Sequence, residues 1–173
     1  MIRFDVLGTP APKGSSRAIM RGGFAVNVPS GSDTNKRNLR TWDQAVRLAA
    51  QIAAGACGYP SDRPAFIDVA LRVNVTFRMK RPKGHWGKNG LNAKAKREPY
   101  PKTKPDQDKL LRATLDAMEG LLFDDDGRIS ESYVCRVWAA PGEEGASIIV
   151  EPIDYQPPPT PEESGPILPG FGE

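Results

Sequence analysis

Two groups of aspartates stand at the two ends of one predicted helix, and that arrangement limits what this chain can fold into. The first group is Asp106-Gln107-Asp108, directly after Pro105, and the second is Asp124-Asp125-Asp126. Between them, Leu110 to Leu122 carries apolar residues at helical spacing and reads as an amphipathic helix. Pro105 disfavours helical backbone before it and Asp106 is a good N-cap, which sets the start sharply. Leu111, Leu115, Met118 and Leu122 form the expected core stripe. Carboxylates gathered without counter-charge repel one another. A divalent cation is the usual reason to gather them, and an all-oxygen ligand set favours magnesium, manganese or calcium.

The opposite charge lies just upstream. The net charge is only +3, yet Arg78 to Lys104 holds ten Lys or Arg against the single acid Glu98. A block of this density is a solvated loop or a phosphate-binding surface. Its direct lead into the acidic groups favours the second reading. Acid for metal beside base for phosphate points to a metal-dependent nuclease.

The remaining pattern predicts one α+β domain over residues 1–151, a mixed β-sheet packed with two long helices. Ile2 to Leu7 alternates and reads as a strand. Ile19-Met20 and Phe24 to Val28 flank Arg21-Gly22-Gly23 and predict a hairpin. A helix is expected from about Asn38 to Ala54, with Leu39, Trp42, Val46, Ala49 and Ala53 inward and Gly55 as its stop. Ala65 to Arg78 reads as a strand with Val69, Leu71, Val73, Val75 and Phe77 on one face. From Met79 to Pro105 there is no periodic pattern, and a loop that long is usually functional or disordered. Arg128 to Trp138 and Ala146 to Val150 are two further expected strands. Residues 152–173 hold seven prolines, four acids and no Lys or Arg, and are expected to form a disordered tail.

Other chemistries are narrowed by what the chain carries. Cys57 and Cys135 fit neither a disulfide framework nor a zinc pattern and read as reduced thiols of a cytoplasmic protein. No apolar run is long enough to span a bilayer. His85 is the one histidine, so histidine-dependent serine or cysteine triads are not expected; His85 is expected to touch DNA or solvent. Asp124-Asp125-Asp126-Gly127 invites a calcium-loop reading. Setting Gly127 on the invariant glycine of that loop puts Leu122 and Tyr133 where its two end ligands belong, so the reading fails.

The stretch Lys104-Pro105-Asp106-Gln107-Asp108-Lys109-Leu110-Leu111-Arg112-Ala113-Thr114-Leu115-Asp116-Ala117, followed by Asp125-Asp126-Gly127-Arg128-Ile129, resembles the core signature of RusA-type Holliday junction resolvases. Pro12-Lys13-Gly14-Ser15-Ser16-Arg17 and Arg81-Pro82-Lys83-Gly84-His85 look like segments of phage and prophage members. The resemblance covers about residues 1–151. It implies a homodimeric, magnesium-dependent endonuclease that nicks four-way DNA junctions symmetrically, with manganese as a substitute metal. Carried over by position, the metal ligands are Asp106, Asp108, Asp125 and Asp126, and the catalytic set is Asp106, Asp108, Asp126 and Arg112. The family has a lysine at the position of Arg112. Arginine keeps the positive charge but does not exchange a proton near neutral pH, so electrostatic stabilisation survives there while proton transfer does not. The DNA-binding residues are expected to be Lys13, Arg17, Arg81, Lys83, His85, Lys88, Lys94, Lys96, Lys102, Lys104 and Lys109. The alternative is a junction-binding protein without cleavage, its acidic cluster degenerate or structural.

Overall fold

The computed structural model describes residues 1–14, 16–29 and 32–154, with the backbone alone for residues 16–19 and 25–29. The expected tail lies outside the described residues from residue 155 onward. The body is a four-stranded mixed sheet of β1 (Ile2–Leu7), β4 (Leu71–Met79), β7 (Ile129–Trp138) and β8 (Gly145–Pro152), in the order β1-β8-β4-β7. β8 is antiparallel to both β1 and β4, whereas β4 and β7 run parallel. Two long helices, α1 (Asp33–Ala56) and α3 (Gln107–Met118), complete the α+β architecture. A separate hairpin of β2 (Ser16–Arg21) and β3 (Phe24–Pro29) pairs only with itself. No helix among the described residues is long and apolar enough to cross a membrane.

Strict alternation along β4 gives the sheet one dry and one wet face. Leu71, Val73, Val75, Phe77 and Met79 are buried with Ile2, Val6, Ile148 and Val150 in one core, which also takes Trp42, Val46, Leu110 and Met118 from the helices. The intervening β4 residues build a polar ladder on the other face. Arg72 bridges Glu131 at 2.6 Å and Glu151 at 3.4 Å, and Arg78 meets Asp5 at 2.8 Å. Hydrogen bonds from Ser147 and then Arg78 hold the Asp5 carboxyl below its ordinary range.

Several boundaries differ from the sequence expectation, each for a local reason. α1 starts at Asp33 rather than Asn38 because Ser32 caps it, its hydroxyl accepting from the Asn35 amide at 3.3 Å. It runs past Gly55 to Ala56, and the left-handed residue that follows is Gly58, at φ 81°. Its buried face is Trp42, Val46, Ala50 and Ala54, with Ala49 and Ala53 at the edge. β4 begins at Leu71 rather than at Ala65. Asp68 has φ 57° and ends any strand there, while the Ala65 and Phe66 amides bond the carbonyls of Leu121 and Leu122 beyond α3. Val69, expected inside, is 38% exposed.

α3 is also rotated relative to the leucine stripe. Leu110, Ala113, Thr114, Ala117 and Met118 are buried, while Leu111 and Leu115 are only partly covered. The small residues face inward because α3 packs directly on α1, whose own buried face contains Ala50 and Ala54. Inside the core, the Trp42 indole N–H donates to the Thr114 hydroxyl at 3.1 Å, and that hydroxyl donates to the Leu110 carbonyl at 2.9 Å. Thr114→Val keeps the shape and strands the indole N–H. It is expected to cost about 1–3 kcal/mol in urea unfolding, and much less in a Trp42→Phe background, where no donor is left to strand. Equal losses in both backgrounds would show that the bond contributes nothing.

Candidate active site

Asp106 occupies the N-cap position of α3 in extended conformation (φ −68°, ψ 140°), but its carboxylate makes no capping hydrogen bond. It faces Lys109 instead, at 3.2 Å. Asp108 follows in the first turn and is exposed, beside Gln107, Leu111, Tyr133 and Cys135. Gln107 ties this end of α3 to the sheet by donating to the Val134 carbonyl at 3.0 Å. Arg112 lies one turn further along α3, exposed and without an ion pair among the described residues.

The second acidic group turns the chain from α3 into β7. Asp124 is gripped by Arg128 through two contacts, at 3.2 and 2.9 Å, and Arg128 also reaches Asp68 at 2.8 Å. That grip holds the Asp124 carboxyl below its ordinary range. Asp125 accepts the Gly127 amide at 2.7 Å. A Cβ at Gly127 would sit 2.8 Å from the same Asp125 oxygen, so a larger residue there would push that carboxylate aside. Asp126 opens the short 3-10 turn Asp126–Arg128 and is exposed, with no partner among the described residues.

The two acidic groups do not meet within one chain. α3 has 12 residues, about 18 Å of helix at 1.5 Å per residue. The sheet gives the same span: Gln107 sits against Val134, and β7 begins at Ile129 beside the second group, about 16 Å away at 3.3 Å per residue. Among the described residues, no three His, Cys, Asp or Glu side chains converge to hold a metal ion. Asp106 and Asp108 therefore stand apart from Asp125 and Asp126 in the described chain.

A groove of about 550 Å³ opens beside Asp106, with Lys13, Lys80, Lys104, Lys109 and Arg136 around it and prolines, Met79 and Trp138 as walls. Lys80 and Arg136 are not singled out by the sequence. Lys80 is one of many neighbouring cations there, and Arg136 lies in a strand far along the chain. Arg136 donates to the carbonyls of Pro101 at 3.2 Å, Thr103 at 2.9 Å and Pro105 at 2.6 Å. It thus fixes the segment that delivers Asp106. Lys13 is held at the same place by its amide on the Lys109 carbonyl at 3.0 Å and by an ion pair with Asp116.

The basic block is an ordered outcrop rather than a patternless loop. It contains a 3-10 turn Lys83–His85, a small hairpin of β5 (Trp86–Gly87) and β6 (Gly90–Leu91), and the short α2 (Ala93–Lys96). Lys83, Lys88, Lys94, Lys96 and Lys104 are exposed, and Lys102 pairs with Glu98 at 3.2 Å. Arg81 lies 5.1 Å over the Trp138 ring. His85 corrects the expectation of DNA or solvent contact. It is 7% exposed, edge-on to Trp138 at 5.5 Å and 3.5 Å from Glu98, because the outcrop folds around it. The Arg17 side chain lies outside the described residues.

Arg136→Met removes three charge-assisted bonds while keeping an apolar stem. It is expected to lower stability by about 1–3 kcal/mol and to speed amide exchange across residues 102–109, with the β4–β8 pairing unchanged. Unaltered exchange over that segment would show that other contacts hold it.

No curated protein matches the chain. The family model described as endodeoxyribonuclease RusA matches residues 11–150, which spans β2 to β8 and includes the groove, α3 and the second acidic turn. The chain belongs to the RusA endodeoxyribonuclease family.

Proposed function

We propose that this protein is a magnesium-dependent endonuclease that resolves four-way DNA junctions as a homodimer. The observation that carries this reading is the Asp106-Gln107-Asp108 opening of α3 beside a groove with five cations around it, within a chain of the RusA family. Resolving a four-way junction takes two cuts in near two-fold relation, and a C2 dimer supplies two sites in matching orientation. The separation of the acidic groups supports the same assembly. A second copy can bring its Asp126, with Asp125 beside it, to the Asp106 and Asp108 of the first, completing an oxygen ligand set suited to magnesium or manganese.

The chain's own residues account for the rest of the work. Lys13, Lys80, Lys104 and Lys109 grip phosphates without reading bases. Arg112 offsets charge developing at phosphorus. A non-catalytic junction-binding role rests on one feature, the arginine that replaces the family lysine. Cleavage of a synthetic four-way junction with and without magnesium separates the two readings.

Subunit mixing tests the shared site. Asp108→Asn and Asp126→Asn homodimers should each bind junctions and fail to nick them. A mixture of the two, allowed to exchange subunits, should regain nicking, because one of its two sites then has every carboxylate intact. No recovery in verified heterodimers would place each complete site within one chain.

The exposed lysines of the outcrop give a separate test. Neutralising Lys83, Lys88, Lys94 and Lys96 together should weaken binding to every duplex sequence. The slope of log affinity against log salt should become shallower by about 0.9 for each phosphate left unneutralised. An unchanged slope would make the outcrop a solvated face.

A further inference from the structure

Apart from the DNA contact expected of Arg17, the β2–β3 hairpin is not used by the chemistry above, and its end has an unusual composition. Gly22 and Gly23 both have positive φ, 60° and 83°, the tight two-residue connection that matches strand twist. They place Arg21 and Phe24 directly opposite each other, and opposed residues share one face of a ladder. Phe24 is 78% exposed and Met20, on the other face, is 73% exposed. These are the two most exposed large apolar side chains among the described residues. At that exposure Phe24 stands outside the hydrophobic core.

Charge and position indicate what the arm meets. Between Asp5 and Asp33 there is no carboxylate, while Lys13, Arg17 and Arg21 supply cations. Both feet of the arm stand at the groove beside Asp106. Pro10 to Gly14 line it just before β2 begins, and Asn35 and Asn38 of α1 line it just after β3 ends. Six residues per strand carry the tip about 20 Å from that lip. A polyanion lying in the groove therefore passes the root of an acid-free arm tipped with a phenyl ring and a guanidinium. Aromatic rings stack on unpaired bases whatever their identity, and apolar side chains wedge between base steps.

We infer that the hairpin end is a DNA contact for the branch point, Phe24 stacking on a base exposed there and Arg21 taking an adjacent phosphate. This rests on the junction-cleaving reading and adds to it the element that distinguishes a branch from a plain duplex. Duplex bases are stacked already and offer Phe24 no partner; only a branch or an opened step does.

The test uses the full chain and a synthetic four-way junction carrying 2-aminopurine at the branch, with a linear duplex of the same sequence as reference. Wild-type protein should raise 2-aminopurine emission as the base unstacks from its neighbours. Phe24→Ser should abolish that rise and weaken junction binding about tenfold, leaving duplex affinity unchanged, while Phe24→Trp should restore both. Arg21→Ser should weaken junction binding with a shallower salt dependence. Equal effects on junction and duplex, or none, would overturn the inference while leaving junction cleavage standing. A Phe24→Ser protein that becomes monomeric by light scattering would overturn it in favour of a second copy as the arm's partner. Wild-type protein with no preference for the junction would defeat the functional reading itself, and this inference with it.

Discussion

The parallel pairing of β4 with β7 dictates where everything functional sits. Parallel neighbours cannot be joined by a hairpin; the chain must travel back the length of the sheet before the second strand begins. Here that return is α3. Its N-terminus lies over the middle of β7, where Gln107 bonds the Val134 carbonyl and Arg136 holds the Pro105 carbonyl, and the chain leaving its C-terminus leads to the start of β7. Asp106 and Asp108 are thereby fixed over the middle of β7 and Asp124 to Asp126 before its start. No side-chain rearrangement closes a gap of about 16–18 Å.

The same crossover explains why the basic residues and the first acidic pair are neighbours. Residues 80–105 are inserted between β4 and α3, so they emerge at one end of the sheet and fold there as a compact outcrop. His85, Trp138 and Glu98 form its small interior, and the Trp138 indole N–H donates to the Glu98 carbonyl at 2.9 Å. Arg136 then pins the exit of the outcrop immediately before Asp106. α3 is placed firmly because α1 backs it through small residues and the Trp42–Thr114–Leu110 chain of hydrogen bonds. A carboxylate at the first turn of such a helix inherits the rigidity of the core.

Much of this is legible in the sequence, for physical reasons that also mark where reading fails. β1 alternates over a half-buried strand and its ends match at both residues, and the Gly22-Gly23 turn leaves little choice of hairpin. The face of α3 is misread when large apolar residues are weighted above small ones. Close helix packing selects Ala113 and Ala117 instead, and leaves Leu111 and Leu115 at the margin. β4 reads too long because Ala65 to Ala70 has strand composition, and a single left-handed residue, Asp68, is invisible to periodicity. His85 looks like a surface residue because its burial depends on Trp138, far along the chain. Arg136 escapes notice for the same reason: its acceptors are backbone carbonyls, which leave no trace in side-chain identity.

The split acidic set has an energetic consequence for the single chain. Several carboxylates drawn together without a cation would raise one another's pKa and oppose folding. In this fold each local group is small and partly compensated, Asp106 by Lys109 and Asp124 by Arg128. Asp108 and Asp126 remain without ion pairs among the described residues, and they lie at opposite ends of α3, too far apart to repel strongly in salt. A protomer can therefore fold without metal. If a second copy completes the set, the repulsion arises only on assembly, where a divalent cation is available to offset it. Metal affinity and dimer affinity are then linked: metal binding strengthens assembly by the same free energy by which assembly strengthens metal binding. A cation site divided this way would leave a lone copy unable to nick DNA, in keeping with the paired cuts proposed for a junction.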